Sequence, residues 1–278
     1  MRKGINYTWT PKEIKPIQPI TGIELCILLP KIFIFAIITL KLLILFGIFK
    51  MFNQRRLNNF ILKFWSKLAL FLCRLEVVCK GSGIKSGIIV SNHISWLDIL
   101  AIMSIQPGRF VAKSEVGGWF IFGHLAKVAG TIFIERNPAK ILVQLDALGE
   151  VLKSDNLVIL FPEGTSSDGQ RVLPFNSGLL GAVYRGQGGK KYSTKVQPLT
   201  IYYSTRNYLD KDFFAWYHSR TLASHIFKVL GTRHRSKIYM TFGKKARSEN
   251  FSNRKELNQF LFNQVLNNFS SHLYGTKK

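Results

Sequence analysis

Residues Ser91 to Asp98 read SNHISWLD, with His93 and Asp98 five positions apart where an apolar run, Gly87–Val90, gives way to a helical pattern. A carboxylate at that distance can accept from one imidazole nitrogen and fix the tautomer. The other nitrogen is then left to take a proton from an attacking hydroxyl. The chemistry indicated is general-base catalysis. Such a pair also arises readily by chance, so the neighbouring clusters matter. Phe161–Ser167, FPEGTSS, ends an apolar run in Pro-Glu-Gly. Proline stops the strand, glycine permits close backbone approach, and the Thr and Ser residues that follow leave N–H groups for an anion. In isolation this is an ordinary strand-to-turn junction. Arg136 closes GTIFIER and offers a planar donor fork suited to phosphate, or a rim salt bridge to Glu135. No GxSxG elbow and no Cys–His arrangement supplies a nucleophile.

These side chains need a frame. Candidate strands are Ile88–Asn92, Arg109–Lys113, Thr131–Glu135, Leu157–Phe161, Val196–Tyr203 and Lys237–Gly243. Between them lie helical patterns at Trp96–Ile105, Gly118–Ala129, Pro138–Lys153, Ser177–Tyr184 and Tyr208–Leu230, with Asn137 as a cap ahead of Pro138. A last helix follows the Asn-x-x-Glu capping box at Asn253. Strands alternating with helices predict an α/β fold with a largely parallel sheet flanked by helices. Sites in such sheets form at the carboxyl ends of strands. Asn92/His93, Glu135/Arg136 and Glu163/Gly164 all occupy such ends, so His93, Asp98, Arg136 and Glu163 are expected on one rim. The division expected is an N-terminal membrane-associated helical region over 1–80, a catalytic α/β domain over 81–250 and a C-terminal helix over 251–278.

Charge and hydropathy say where the chain works. Lys and Arg number 39 against 15 Asp and Glu, a net +24. That excess attracts polyanions, either nucleic acid or an anionic bilayer. The segment Ile32–Phe49 tips the balance to membrane, since it is apolar except for Lys41 and approaches the ~20 residues of a spanning helix. Lys31, Lys41 and Lys50 can snorkel to a headgroup layer. Pro30 and Lys41 make a tilted or interfacial helix as plausible as a span, and a buried core helix is the bland alternative. Lys50–Leu75 is basic and amphipathic with interleaved Phe and Trp, as interfacial helices are. A secretory signal is not expected. Cys26, Cys73 and Cys79 show no paired spacing, which predicts neither a disulfide frame nor a metal site. Gly81–Gly87 precedes a strand and is no dinucleotide fingerprint. His218 and His225 fall on one face of the expected Tyr208–Leu230 helix, where packing is the expected role. From Arg185 to Arg247, 14 Lys/Arg face 2 acids, a surface for anionic lipid, for an acidic carrier protein or for solvent alone.

SNHISWLD, GTIFIER and FPEGTSS, in this order, resemble the motif blocks of the glycerolipid acyltransferase family, whose best-known members are the lysophosphatidic acid acyltransferases. VQPLTIY (Val196–Tyr202) resembles a fourth block, and the likeness covers about Ile88 to Tyr203. It implies that His93 is the general base and Asp98 its orienting partner, with direct transfer of an acyl group from a thioester to a lysophospholipid hydroxyl. It implies acceptor-binding roles for Arg136, Glu163, Gly164 and Thr165; Asn92 is grouped with them, with shaping of the His loop or capping as its alternatives. No metal or resident cofactor is implied. The donor would be acyl-coenzyme A or acyl carrier protein, and the partners the lysophospholipid and an anionic membrane surface, with no nucleic acid. The expected setting is the cytoplasmic face of a bacterial inner membrane. Lysophosphatidic acid converted to phosphatidic acid is the first expectation. One departure weakens it: the family's third block commonly carries Arg where this chain has Ser166. Without that guanidinium a strong charge-assisted contact is lost, so another lysolipid, such as lyso-ornithine lipid, is the alternative within the enzyme class. Arg171 is a candidate substitute. A non-catalytic basic protein that binds membranes or nucleic acid would explain the charge but not three ordered blocks.

Overall fold

The computed structural model describes residues 21–135, 137–184, 193–205 and 210–275. Fifteen regular elements follow one another. The first is α1 (Gly22–Met51), opened by a capping box in which Thr21 and Glu24 satisfy each other's backbone N–H groups. It runs through Pro30 and pairs with α2 (Arg55–Leu72). Then come β1 (Leu75–Lys80), β2 (Gly87–Ser91), α3 (Leu97–Ile105), β3 (Arg109–Lys113), α4 (Phe120–Val128), β4 (Ile132–Ile134), α5 (Ile141–Lys153) and β5 (Leu157–Leu160). The chain closes with β6 (Lys195–Ser204), α6 (Leu222–Gly231), β7 (Ser236–Phe242), β8 (Ala246–Arg247) and α7 (Arg254–Gly275).

The sheet order is β1-β7-β6-β2-β5-β3-β4, with β8 against β6. Pairing is parallel except where β6 meets β7 and β8. The central strands β2 (GIIVS) and β5 (LVIL) are buried throughout. Continuous apolar runs of this kind belong to parallel strands covered on both faces. Their alternate residues divide between two cores. Ile89 and Ile159 pack with α2, α3 and α6, whereas Ile88, Val90, Val158 and Leu160 pack with α5 and α7. The expected α/β class and mostly parallel sheet are observed.

Four expectations on elements need correction. β1 falls within the region assigned to the membrane anchor; it pairs with β7, so the sheet begins at Leu75 rather than beyond residue 80. The helix expected over Tyr208–Leu230 begins on residues 208–209, which lie outside the described residues; among the described ones it is confined to α6. Within the segment before it, His218 has φ 54° and Arg220, largely buried, donates to the carbonyls of Asp212 and Ala215 and to the Asp212 carboxylate (2.7 Å). The aromatic periodicity that reads as a helix belongs to a loop folded around one arginine. His218 and His225 therefore share no helical face. Finally, Lys31 does not snorkel. Its ammonium donates to the carbonyls of Leu72 (2.9 Å) and Leu230 (2.6 Å), the orphan acceptors at the ends of α2 and α6.

Candidate active site

Because β2 and β5 are parallel neighbours, their carboxyl ends open on the same rim. The chain leaving β2 carries His93, and the chain leaving β5 turns at Phe161–Gly164. There the Gly164 amide donates to the Phe161 carbonyl (3.0 Å) with Gly164 at φ 69°, a backbone region open to glycine at little cost. The two loops are bonded directly, the Ser167 amide donating to the His93 carbonyl (2.9 Å). The Phe161 ring lies flat on the imidazole, 4.2 Å between centroids at 17°.

His93 Nδ1 lies 2.8 Å from Asp98 Oδ2. A carboxylate only accepts, so Nδ1 carries the proton and Nε2 presents its lone pair. Among the described residues no group hydrogen-bonds Nε2, and the His93 side chain keeps 17% of its surface exposed. Asp98 is fully buried and held from three further directions. Its Oδ2 accepts from the amides of Ile94 (2.7 Å) and Ser95 (2.9 Å), and its Oδ1 accepts from the Tyr203 hydroxyl (2.7 Å). Burial and the adjacent Asp98 charge hold the Tyr203 phenol well above its ordinary range, so it remains a donor.

Asn92 is wholly buried, and its amide donates to the Ile201 carbonyl (2.9 Å) while accepting from the Ile201 amide (2.8 Å). Both ends of the side chain are engaged by β6, so Asn92 shapes the histidine loop, one of the roles expected of it. Glu163 sits under the turn with both carboxyl oxygens buried and no donor at hydrogen-bond geometry. Burial pushes its pKa well above the usual carboxylate range. The nearby amides of Leu173 and His93 pull it down, and the charges of Asp98 and Asp168 push it further up. Gly164 and Thr165 are exposed beside it. Of the Thr and Ser amides expected to be free for an anion, that of Ser167 is already bonded within the loops, as is the Gly164 amide before them. Arg136 lies outside the described residues.

Ser166 is buried and donates to the Trp216 carbonyl. Arg171, a candidate replacement for the missing guanidinium, pairs with Asp168 at 3.0 Å. Trp216 also donates its amide to the Ile94 carbonyl (2.9 Å). Beside it, Trp96 Nε1 donates to His225 Nδ1 (2.9 Å), and His225 Nε2 lies 3.1 Å from the Phe213 carbonyl, which fixes the neutral tautomer. Burial drops the His225 pKa to about 4. Sequence reasoning misses Tyr203, Trp216 and His225. Only Tyr203 carries a signal, a tyrosine on the buried face of a strand end, where its hydroxyl needs a partner.

A family model described as Acyltransferase matches residues 77–202. The lyso-ornithine lipid O-acyltransferase of Rhodobacter capsulatus is 34% identical over 171 residues, 62% of this chain and 61% of that protein, so the match spans less than two thirds of its length. The enzyme of the same name from Rhizobium meliloti is 30% identical over 223 residues, 77% of this chain and 76% of that one. A 1-acyl-sn-glycerol-3-phosphate acyltransferase of Neisseria gonorrhoeae is 38% identical over 93 residues, 33% of this chain and 36% of that protein. Among solved structures, the 1-acyl-sn-glycerophosphate (LPA) acyltransferase PlsC from Thermotoga maritima superposes with a TM-score of 0.64 at 19% identity. It covers 89% of this chain and 96% of that chain. At that identity the likeness is one of fold.

Proposed function

The chain belongs to the Acyltransferase family, and from that premise we propose that it moves a fatty acyl group from a thioester to the free hydroxyl of a lysolipid, with His93 as general base. The observation that carries the reading is the 2.8 Å contact of His93 Nδ1 with Asp98, which leaves Nε2 as an unoccupied base on the rim. Nε2 takes the hydroxyl proton as the oxygen attacks the thioester carbonyl. The tetrahedral adduct collapses, the C–S bond breaks, and the imidazolium returns its proton to the leaving thiolate. Asp98 holds the ring and stabilises the imidazolium; it takes no proton. No cysteine or serine hydrogen-bonds Nε2 among the described residues, which favours one direct transfer over an acyl-enzyme.

For the acceptor, lyso-ornithine lipid is the reading we favour. Ser166 carries no guanidinium and its hydroxyl is spent on the Trp216 carbonyl, while Arg171 pairs with Asp168, which disfavours a phosphate monoester at this turn. An ornithine headgroup presents an amine and a carboxylate instead. The names of the Rhodobacter and Rhizobium relatives support the same choice. Lysophosphatidic acid, the first expectation from sequence, is the second reading, supported by the Neisseria relative. The donor is acyl-coenzyme A or acyl carrier protein, and the place of work is the cytoplasmic face of a bacterial inner membrane.

The test is transfer from a labelled acyl thioester to lyso-ornithine lipid and to lysophosphatidate by the purified protein. Faster transfer to lyso-ornithine lipid is expected, and His93→Ala should lower kcat by roughly 10²–10⁴-fold. A preference for lysophosphatidate overturns the acceptor and leaves the chemistry. Turnover in His93→Ala close to that of the unaltered protein removes the base.

A further inference from the structure

Outside α1, α2 and the turn joining them, the large apolar side chains that stand exposed are not scattered. Among the described residues they are Phe120, Ile121, Phe122, Leu142, Val143 and Phe227, with Tyr274 alone elsewhere near the chain's end. The first three form the opening turn of α4, one short turn beyond the carboxyl end of β3. They are 87%, 59% and 43% exposed. Leu142 and Val143, 55% and 71% exposed, open α5 just beyond the carboxyl end of β4. β3 and β4 run parallel to β5 and β2, so these exits share the rim of His93. Phe227 lies on α6, whose His225 holds Trp96 in the histidine loop. Apart from Phe227 and Tyr274, the exposed apolar surface of the catalytic body lies on the rim around the site.

We infer that this rim is a second membrane contact, separate from α1, through which the catalytic body lies on the bilayer with the site's mouth against the lipid. The inference rests on the lysolipid reading for its purpose. Its occupant follows from what surrounds it. Isolated exposed apolar residues need no explanation, but a clustered patch marks an interaction surface. The net charge of +24 suits an anionic leaflet. Aromatic and aliphatic side chains on short helical turns can sink into the acyl boundary while basic residues stay at the headgroups. The patch is also wired to the site. Trp119, immediately before Phe120, packs edge-on against Trp216 at 6.1 Å and 83°. Trp216 in turn holds Ile94 and Ser166. An acceptor lipid leaving the leaflet at this rim reaches the histidine loop without crossing water.

The test uses the full chain reconstituted in phosphatidylglycerol–phosphatidylethanolamine vesicles containing a phospholipid with a photoactivatable diazirine in its acyl chain. Labelling of the peptides bearing Phe120–Phe122 and Leu142–Val143, as well as α1, is the expected result. Labels confined to α1 and α2, or cross-links from the rim to a second copy of the chain, overturn the proposal. In parallel, the double variant Phe120→Ser with Phe122→Ser is expected to lose about tenfold in rate on vesicle-embedded acceptor, as two rings no longer reach the acyl layer. On a short-chain acceptor dispersed as monomers its rate should be unchanged; an equal loss on both substrates overturns the inference. Labelling needs no turnover, so rim labels on a protein that transfers no acyl group would sink the acyltransferase reading alone.

Discussion

Tyr203 sets the electrostatics of the His93–Asp98 pair. Its hydroxyl drains charge from Asp98 Oδ1 at 2.7 Å, so the carboxylate is a weaker partner for an imidazolium than it would be alone. Tyr203→Phe removes that donor from the buried carboxylate. With one oxygen of the buried carboxylate left without its donor, the pair is less firmly held, and kcat is expected to fall about tenfold; an unchanged kcat would show that the hydroxyl only packs. Glu163 gives a second residue-scale prediction, in stability. Its folded-state pKa is raised. Below the unfolded value both states hold the proton, and above it the unfolded state releases it first, so stability falls as pH rises through the interval. Glu163→Gln should therefore melt above the unaltered protein at pH 8 and close to it at pH 4.5, by calorimetry at the two values. The reverse trend would mean the carboxylate is stabilised where it sits. The pairing of His93 with Asp98 is legible in sequence because the partners are five residues apart. Tyr203 reaches Asp98 across 105 residues and His225 reaches Trp96 across 129. No local pattern encodes such meetings.

At the scale of elements, strands that are buried on both sides announce themselves. GIIVS and LVIL can be nothing but interior once the chain is known to alternate. β1 hides because LEVVCK continues a basic, aromatic stretch and lies at an edge, half exposed, where apolar continuity is not required. The Asp212–Arg220 loop hides for the opposite reason: its aromatic spacing imitates a helix, while its conformation is decided by a buried guanidinium and by Ile94. Elements are also joined in ways that composition does not disclose. Lys31 closes the ends of two helices at once, and Lys228 reaches Glu24 at 2.9 Å from the far side. Replacing Lys31 by Met strips two carbonyls of a charged donor, a loss of about 1–3 kcal/mol, or several degrees of melting temperature in detergent. Faster protease cleavage in the turn at 52–54 should accompany it. An unchanged melt would mean that apolar packing alone holds α1.

For the molecule as a whole, fold class and the direction of the site follow from alternation and from strand ends, both read from sequence. The segments expected as anchor and terminal helix both touch the sheet, since β1 completes it and α7 packs along β6. The first helix is 30 residues long, about 45 Å at the usual rise, and it is clamped to α2 and α6 near the same rim of the sheet that bears the dyad. A flexible leash would let the body tumble and present the imidazole to water as often as to lipid. With α1 in the leaflet, as the proposed function has it, a spar clamped in this way would fix the compass bearing of the imidazole relative to the membrane plane. Regiochemistry would then become partly a matter of posture: only a hydroxyl lying at one depth in the leaflet would come level with the nitrogen.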